Sequence, residues 1–344
     1  MAQSGTDEPR SIILLVSDGA GTAHWTLAAH HDDEFALARM KTVGLVDTQG
    51  SDHVVSGSAP TASAYATGVR TFMGAISVGP DSVPVPTVAE VAMSRGMSTG
   101  LLTTTALTDA TPAAFAAHVP SRRAMGEIAR QMVDNGITVL MGGGRAHFGP
   151  SEQPDGGDLI ARARQSYTYV ETLDQLAHLE PDTVETLLGL FAEGGMGMVA
   201  ERGEEALHLM ASTALSILDR NRDGFFLMVE NEESDTQSHG NADEATLVAE
   251  MLDFDRIVEM ALDYQAEHPE TLVLVTGDHE TGGLSLPYAS TPERPIVISW
   301  ATSGHTGALL PIFASGPGAE RFGGFIRNDE VGRILIDMVR RRTP

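Results

Sequence analysis

Three separate stretches of this 344-residue chain repeat one pattern, an apolar run that stops on an acid. They are Ser11-Ile12-Ile13-Leu14-Leu15-Val16-Ser17-Asp18, Gly224-Phe225-Phe226-Leu227-Met228-Val229-Glu230 and Thr271-Leu272-Val273-Leu274-Val275-Thr276-Gly277-Asp278-His279. A short run that is apolar without alternation suits a strand covered on both faces, as in a parallel sheet packed between two layers of helices. Helical patterns at residues 87–95, 122–135, 204–219 and 241–267 separate these runs from further strand-like segments at 42–46, 98–105, 138–141, 168–170, 187–191 and 309–314. The alternation predicts an α/β fold, a three-layer αβα sandwich around a mostly parallel central sheet. No repeat or linker interrupts it, so residues 11–344 read as a single catalytic domain behind a flexible N-terminal tail, residues 1–10.

In such sheets ligands bind beyond the carboxyl ends of the strands, where Asp18, Glu230 and Asp278 fall. A lone acid after a strand is commonly a cap or turn residue. Three carboxylates gathered at one sheet edge repel one another unless cations neutralise them, so their shared location predicts metal. Histidines complete the set. Asp235 and His239 stand four residues apart, His279 follows Asp278, and His305 lies in Gly304-His305-Thr306-Gly307. Mixed imidazole and carboxylate shells suit zinc, whereas the all-oxygen set of Asp18, Thr111 and Glu230 suits magnesium. The other nine histidines read as ordinary solvated or hydrogen-bonded side chains.

A nucleophile is also on offer. In Gly57-Ser58-Ala59-Pro60-Thr61-Ala62, Ser58 reads as the N-cap of a helix, a position that attracts anions. With no cysteine in the chain, thiolate chemistry, Cys-type metal sites and disulfides are excluded. A formal charge of −25, from 47 acidic against 22 basic residues, argues against nucleic acid or an anionic membrane surface as a partner. No apolar run is long enough to span a membrane.

Taken together, the stretches 12–19, 58–62, 109–113, Glu230 with Asp235 and His239, 278–283 and 304–307 resemble the alkaline phosphatase family in order and spacing over nearly the whole chain. The resemblance implies a phosphomonoesterase holding two zinc ions and one magnesium. One zinc would be bound by Asp235, His239 and His305, the other by Asp18, Asp278 and His279 with Ser58 also bound to it, and the magnesium by Asp18, Thr111 and Glu230. It also implies attack by Ser58 through a phosphoserine intermediate, phosphate recognition by Arg122 (with Arg123 as the competing candidate) and a supporting role for Asp109 in orienting water on magnesium. A phosphodiesterase or sulfatase of the same superfamily stands as the alternative. Substrates would be small-molecule phosphate monoesters, and a homodimer is left open. The resemblance implies a periplasmic or extracellular enzyme, although Met1 to Arg10 lacks the apolar segment of a signal peptide. Two departures bear on tuning. Gly57 stands where many relatives carry Asp, which predicts a looser Arg122 and weaker phosphate binding, and Thr236 stands where some carry Lys.

Overall fold

The computed structural model describes residues 8–153, 156–287 and 296–341. Twelve strands are β1 (Ser11–Ser17), β2 (Thr42–Asp47), β3 (Ser98–Ala106), β4 (Val139–Gly143), β5 (Thr168–Val170), β6 (Leu187–Leu190), β7 (Phe225–Asn231), β8 (Thr271–Thr276), β9 (Glu280–Thr281), β10 (His305–Thr306), β11 (Leu310–Ser315) and β12 (Gly324–Arg327). Ten of them form one sheet in the order β12-β2-β11-β8-β1-β7-β3-β4-β6-β5, while β9 and β10 make a separate antiparallel pair. From β8 to β5 all neighbours are parallel. The antiparallel strand is β11, set between β8 and β2.

The alternation of side chains along β1 explains why the whole strand is apolar. Ile12, Leu14 and Val16 enter one core layer with the helices Ser58–Thr67, Ala110–Ala116 and Asn328–Arg341, while Ile13 and Leu15 enter the opposite layer with Thr22–Ala29, Ala206–Leu218 and Glu244–Glu267. Both faces exclude water, so neither tolerates a polar position. The expected three-layer αβα architecture is the one observed.

Helix Ser58–Thr67 is buried along its length. Its small residues allow close approach: a Cβ on Gly332 of the neighbouring helix Asn328–Arg341 would fall 2.2 Å from the Ala64 carbonyl oxygen. Tyr65 is its one large side chain, and its hydroxyl donates to the Gly277 carbonyl at 3.0 Å, joining the helix to the turn that carries Asp278.

Three expectations shift. Ser58 is the first helical residue and Gly57, extended at φ −141°, is the cap; a glycine cap uses no side chain, which frees the Ser58 hydroxyl. Within the tail expected at residues 1–10, Pro9 and Arg10 join the fold. Residues 1–7 lie outside the described residues, Pro9 is buried, and Arg10 is tied to Glu270 by a backbone hydrogen bond of 2.8 Å and an ion pair of 3.1 Å. Beyond the strand expected at 309–314 the chain adds β12 and helix Asn328–Arg341, whose buried Val331, Leu335, Met338 and Val339 follow an ordinary helical period.

Candidate metal and phosphate site

Four adjacent strands deliver the site. In the order β8, β1, β7, β3 their carboxyl ends lead into Asp278 and His279, Asp18, Glu230, and Asp109 with Thr111. Parallel register sets the depth, with Val16 beside both Thr276 and Glu230. The turn after Asp18 requires Gly19, whose φ is +70° and whose Cβ would meet the Asp235 carboxylate at 2.7 Å.

The inner group surrounds Ser58. His279 Nε2 lies 3.3 Å from Ser58 Oγ, 3.3 Å from Asp18 Oδ1 and 3.3 Å from Asp278 Oδ2. Asp278 Oδ1 accepts from the backbone N–H of Gly19 at 3.1 Å and of His279 at 2.9 Å, fixing the carboxylate. Its Oδ2 and Asp18 Oδ1 are buried without a hydrogen-bond partner among the described residues. Two bare anionic oxygens facing an imidazole nitrogen in a dry pocket leave desolvation uncompensated, and a divalent cation is the group that such a donor set fits. Electrostatics agree. Burial first, then Asp278, Asp235 and Glu230, pushes Asp18 well above the usual carboxylate range, and burial likewise raises Asp278 and Glu230. Burial lowers His279 to about 3, which keeps it neutral.

The outer group comes from helix Glu233–His239 and the segment before β11. Asp235 Oδ2 is 3.2 Å from His239 Nε2, and Asp235 Oδ1 is 3.8 Å from His305 Nε2. The Nδ1 atoms of His239 and His305 meet the carbonyl oxygens of Ser303 at 2.7 Å and Ser56 at 3.0 Å. A carbonyl only accepts, so in the neutral rings both Nδ1 atoms carry the proton and both Nε2 lone pairs are bare. These two nitrogens stand 3.1 Å apart. Facing lone pairs at that distance repel, and a cation between them and Asp235 resolves the conflict.

The third group is oxygen only. Glu230 accepts from Thr103 Oγ1 at 2.6 Å, and the Thr111 hydroxyl is buried with no hydrogen-bond partner among the described residues. Arg122 is ion-paired with Asp109. Burial works against its charge, but Asp109, Asp18 and Asp278 outweigh that and hold the guanidinium protonated. The carboxylate missing at Gly57 is therefore supplied by Asp109, which corrects the expectation of an unsupported Arg122. Arg123 is exposed and Thr236 donates to Glu232 at 2.7 Å.

Every site residue read from the sequence is thus at the same end of the sheet. Among the described residues, the two tightest groups of potential metal-ligating side chains are Asp235, His239, His305 and Asp18, Asp235, His279, and none of the nine remaining histidines joins them. Asp235 approaches His279 on the Nδ1 side at 3.9 Å, opposite the face that meets Asp18 and Asp278. What sequence reasoning missed are the supports: Thr103, Thr281 and the carbonyls of Ser56 and Ser303. Thr281 lay within a motif already singled out, but a backbone carbonyl leaves no mark in the sequence.

Comparison with known proteins agrees with this geometry. The family profile described as alkaline phosphatase matches residues 9–294. Alkaline phosphatase 3 of Bacillus subtilis is 29% identical over 96% of this chain and 89% of its own length. The streptomycin-6-phosphate phosphatase of Streptomyces griseus is 32% identical over 94% of this chain and 88% of its own. Among solved structures, the alkaline phosphatase of the Antarctic bacterium TAB5 superposes with a TM-score of 0.89 at 30% identity, covering 98% of this chain and 99% of that one. A mutant of that enzyme has been solved with Mg bound in its M3 site.

Proposed function

Because the chain belongs to the alkaline phosphatase family, and is by that membership a phosphoric monoester hydrolase, we propose that it acts through a covalent phosphoserine on Ser58 with two zinc ions and one magnesium. Asp235, His239 and His305 would hold one zinc, Asp18, Asp278 and His279 the other, and Asp18, Thr111 and Glu230 the magnesium. When bound, these ions supply Lewis acidity for the attacking hydroxyl, the transferring phosphoryl group and the departing oxygen.

The chain's own residues do the rest. Arg122 presents its planar fork to two phosphate oxygens, held for that task by Asp109. Ser58 Oγ, at the first turn of a helix whose N-terminus favours anions, attacks phosphorus in line. A bond forms from Oγ to phosphorus as the bond to the alcohol oxygen breaks, giving phosphoserine and the free alcohol. Water then attacks the phosphorus from the side the alcohol has left, releasing inorganic phosphate and restoring the Ser58 hydroxyl. Burial of Asp18, Asp278 and His279 excludes water from the inner group and strengthens these interactions.

The observation that carries this reading is the convergence of Asp18 Oδ1, Asp278 Oδ2 and His279 Nε2 beside Ser58 Oγ. Ser58→Ala removes the nucleophile and leaves the carboxylate and imidazole ligands in place. Turnover of an aryl phosphate should fall on the order of 10³-fold or more, with no trappable phosphoenzyme; a normal phosphoenzyme level would place the nucleophile elsewhere. Rates on aryl monoester, diester and sulfate substrates separate the monoesterase from the superfamily alternatives. The oxygen-only group and Arg122 suit a dianionic phosphoryl group, which favours the monoester. The reading extends, on family grounds, to residues 11–344 as one catalytic domain and to a periplasmic or extracellular place of action. No described helix is long and apolar enough to cross a membrane.

A further inference from the structure

Thr281 touches a member of each of the two histidine-containing groups. It is fully buried, its strand β9 pairs it with His305 across β10, its hydroxyl donates to Asp235 Oδ1, and the same oxygen lies 3.1 Å from His279 Nδ1. Its backbone N–H is itself held by the Gly19 carbonyl at 3.0 Å, so the side chain has a fixed origin. A threonine hydroxyl has a single proton. With that proton on the Asp235 carboxylate, which can only accept, Oγ1 has lone pairs alone to offer His279, and the proton on the His279 ring belongs on Nδ1.

We propose that Thr281 is the positioning residue that couples the inner and outer groups: by donating to Asp235 and accepting from His279 Nδ1, it keeps His279 Nε2 bare toward Ser58, Asp18 and Asp278 and orients both ligands at once. Backbone carbonyls perform this service for His239 and His305; His279 receives it from a side chain that also holds a ligand of the other group. The competing arrangement is concrete. Without an acceptor at Nδ1, the ring proton moves to Nε2, where Asp18 Oδ1 and Asp278 Oδ2 both stand 3.3 Å away. That tautomer blocks the nitrogen a metal would need, and binding must first reverse it.

The proposal rests on the metal-dependent reading above, and its test separates the two. The first readout is the tautomer of His279 in the metal-free full-length protein at pH 8, from long-range proton to nitrogen-15 correlations. The wild type should show Nδ1–H; Nε2–H in the wild type overturns the proposal without any variant. The second is zinc affinity by competition with a chromophoric chelator. Thr281→Val should weaken binding by about 10- to 100-fold, the range typical for loss of a group that supports a metal ligand, and shift the metal-free ring to Nε2–H. Thr281→Ser should restore both. Wild-type affinity and tautomer in Thr281→Val, or failure of Thr281→Ser to restore them, overturns the proposal. A wild type that shows Nδ1–H but binds no zinc overturns the metal-dependent reading and the coupling, while the tautomer assignment is confirmed by a measurement made without metal.

Discussion

The inner and outer groups use similar ligands in opposite settings. The side chains of His279, Asp278 and Asp18 are 0%, 0% and 5% exposed, carried by strand ends in a dry core. Those of His239, His305 and Asp235 are 41%, 23% and 12% exposed, carried by a short helix and the two-residue strand β10. The inner carboxylates sit in low dielectric, so their mutual repulsion is strong and their pKa values are displaced upward. The outer donors are oriented by carbonyls and partly solvated. The inner group is thus strained without a cation, whereas the outer group is more open to solvent. That contrast suits a site in which the nucleophile must be held rigidly and the product must escape.

The contrast can be broken most sharply by removing one ligand from each side. Asp278→Ala should lower monoesterase activity by more than about 10²-fold without rescue by added zinc, since it deletes a ligand itself rather than a group that supports one, and loss of a support alone costs about 10- to 100-fold. The same substitution should raise the thermal stability of the metal-free protein, because it relieves carboxylate repulsion. His239→Ala should cost about 10-fold and recover in excess zinc, with little change in metal-free stability. Equal losses and equal rescue would erase the distinction.

The second test is the pH dependence of the metal-free protein. Asp18 and Glu230 are raised well above their ordinary values by burial, and burial raises Glu232 beside them to about 8. Unfolded carboxylates are ionised by pH 7, so the folded state retains protons that the unfolded state has lost. A raised acid contributes stability that is full below its unfolded pKa and disappears as pH climbs through its folded pKa. His24 and His279, lowered to about 4 and about 3, are neutral in both states above pH 7 and add no slope there. Denaturant midpoints of the chelated protein should therefore fall from pH 7 to pH 9, by up to about 1.4 kcal/mol per pH unit for each retained proton, and metal should flatten the profile. A chelated protein that gains stability over that range would contradict the strained inner group.

The smallest effects belong to the rim. The Arg122 and Asp109 side chains are 36% and 25% exposed, so solvent screens their pair. Asp109→Asn keeps a helix-capping oxygen for Ala110 and should weaken inorganic phosphate inhibition by about 5-fold at most, the equivalent of roughly 1 kcal/mol. Gly57→Asp should change it less, because Asp109 already holds the guanidinium and a side chain at 57 would point toward Met73 and His305. A larger effect from position 57 than from 109 would restore the view that Gly57 governs phosphate retention.

Periodicity alone specified much of this protein. An unbroken apolar run demands cover on both sides, and the acid that ends it must stand at a sheet edge; Asp18, Glu230 and Asp278 were legible for that reason, as was Ser58 among its small neighbours. Local patterns are written in side chains, and side chains are what a sequence records. Only the tertiary structure decided that Gly57 rather than Ser58 caps the helix, that Asp109 supports Arg122, and that the rings of His239 and His305 are oriented by the carbonyls of Ser303 and Ser56. Every residue has a carbonyl, so which one meets an imidazole depends on how distant segments pack. Thr281 stands between these cases: its hydroxyl is visible in the sequence, but the 46-position separation from Asp235 is closed only by the fold.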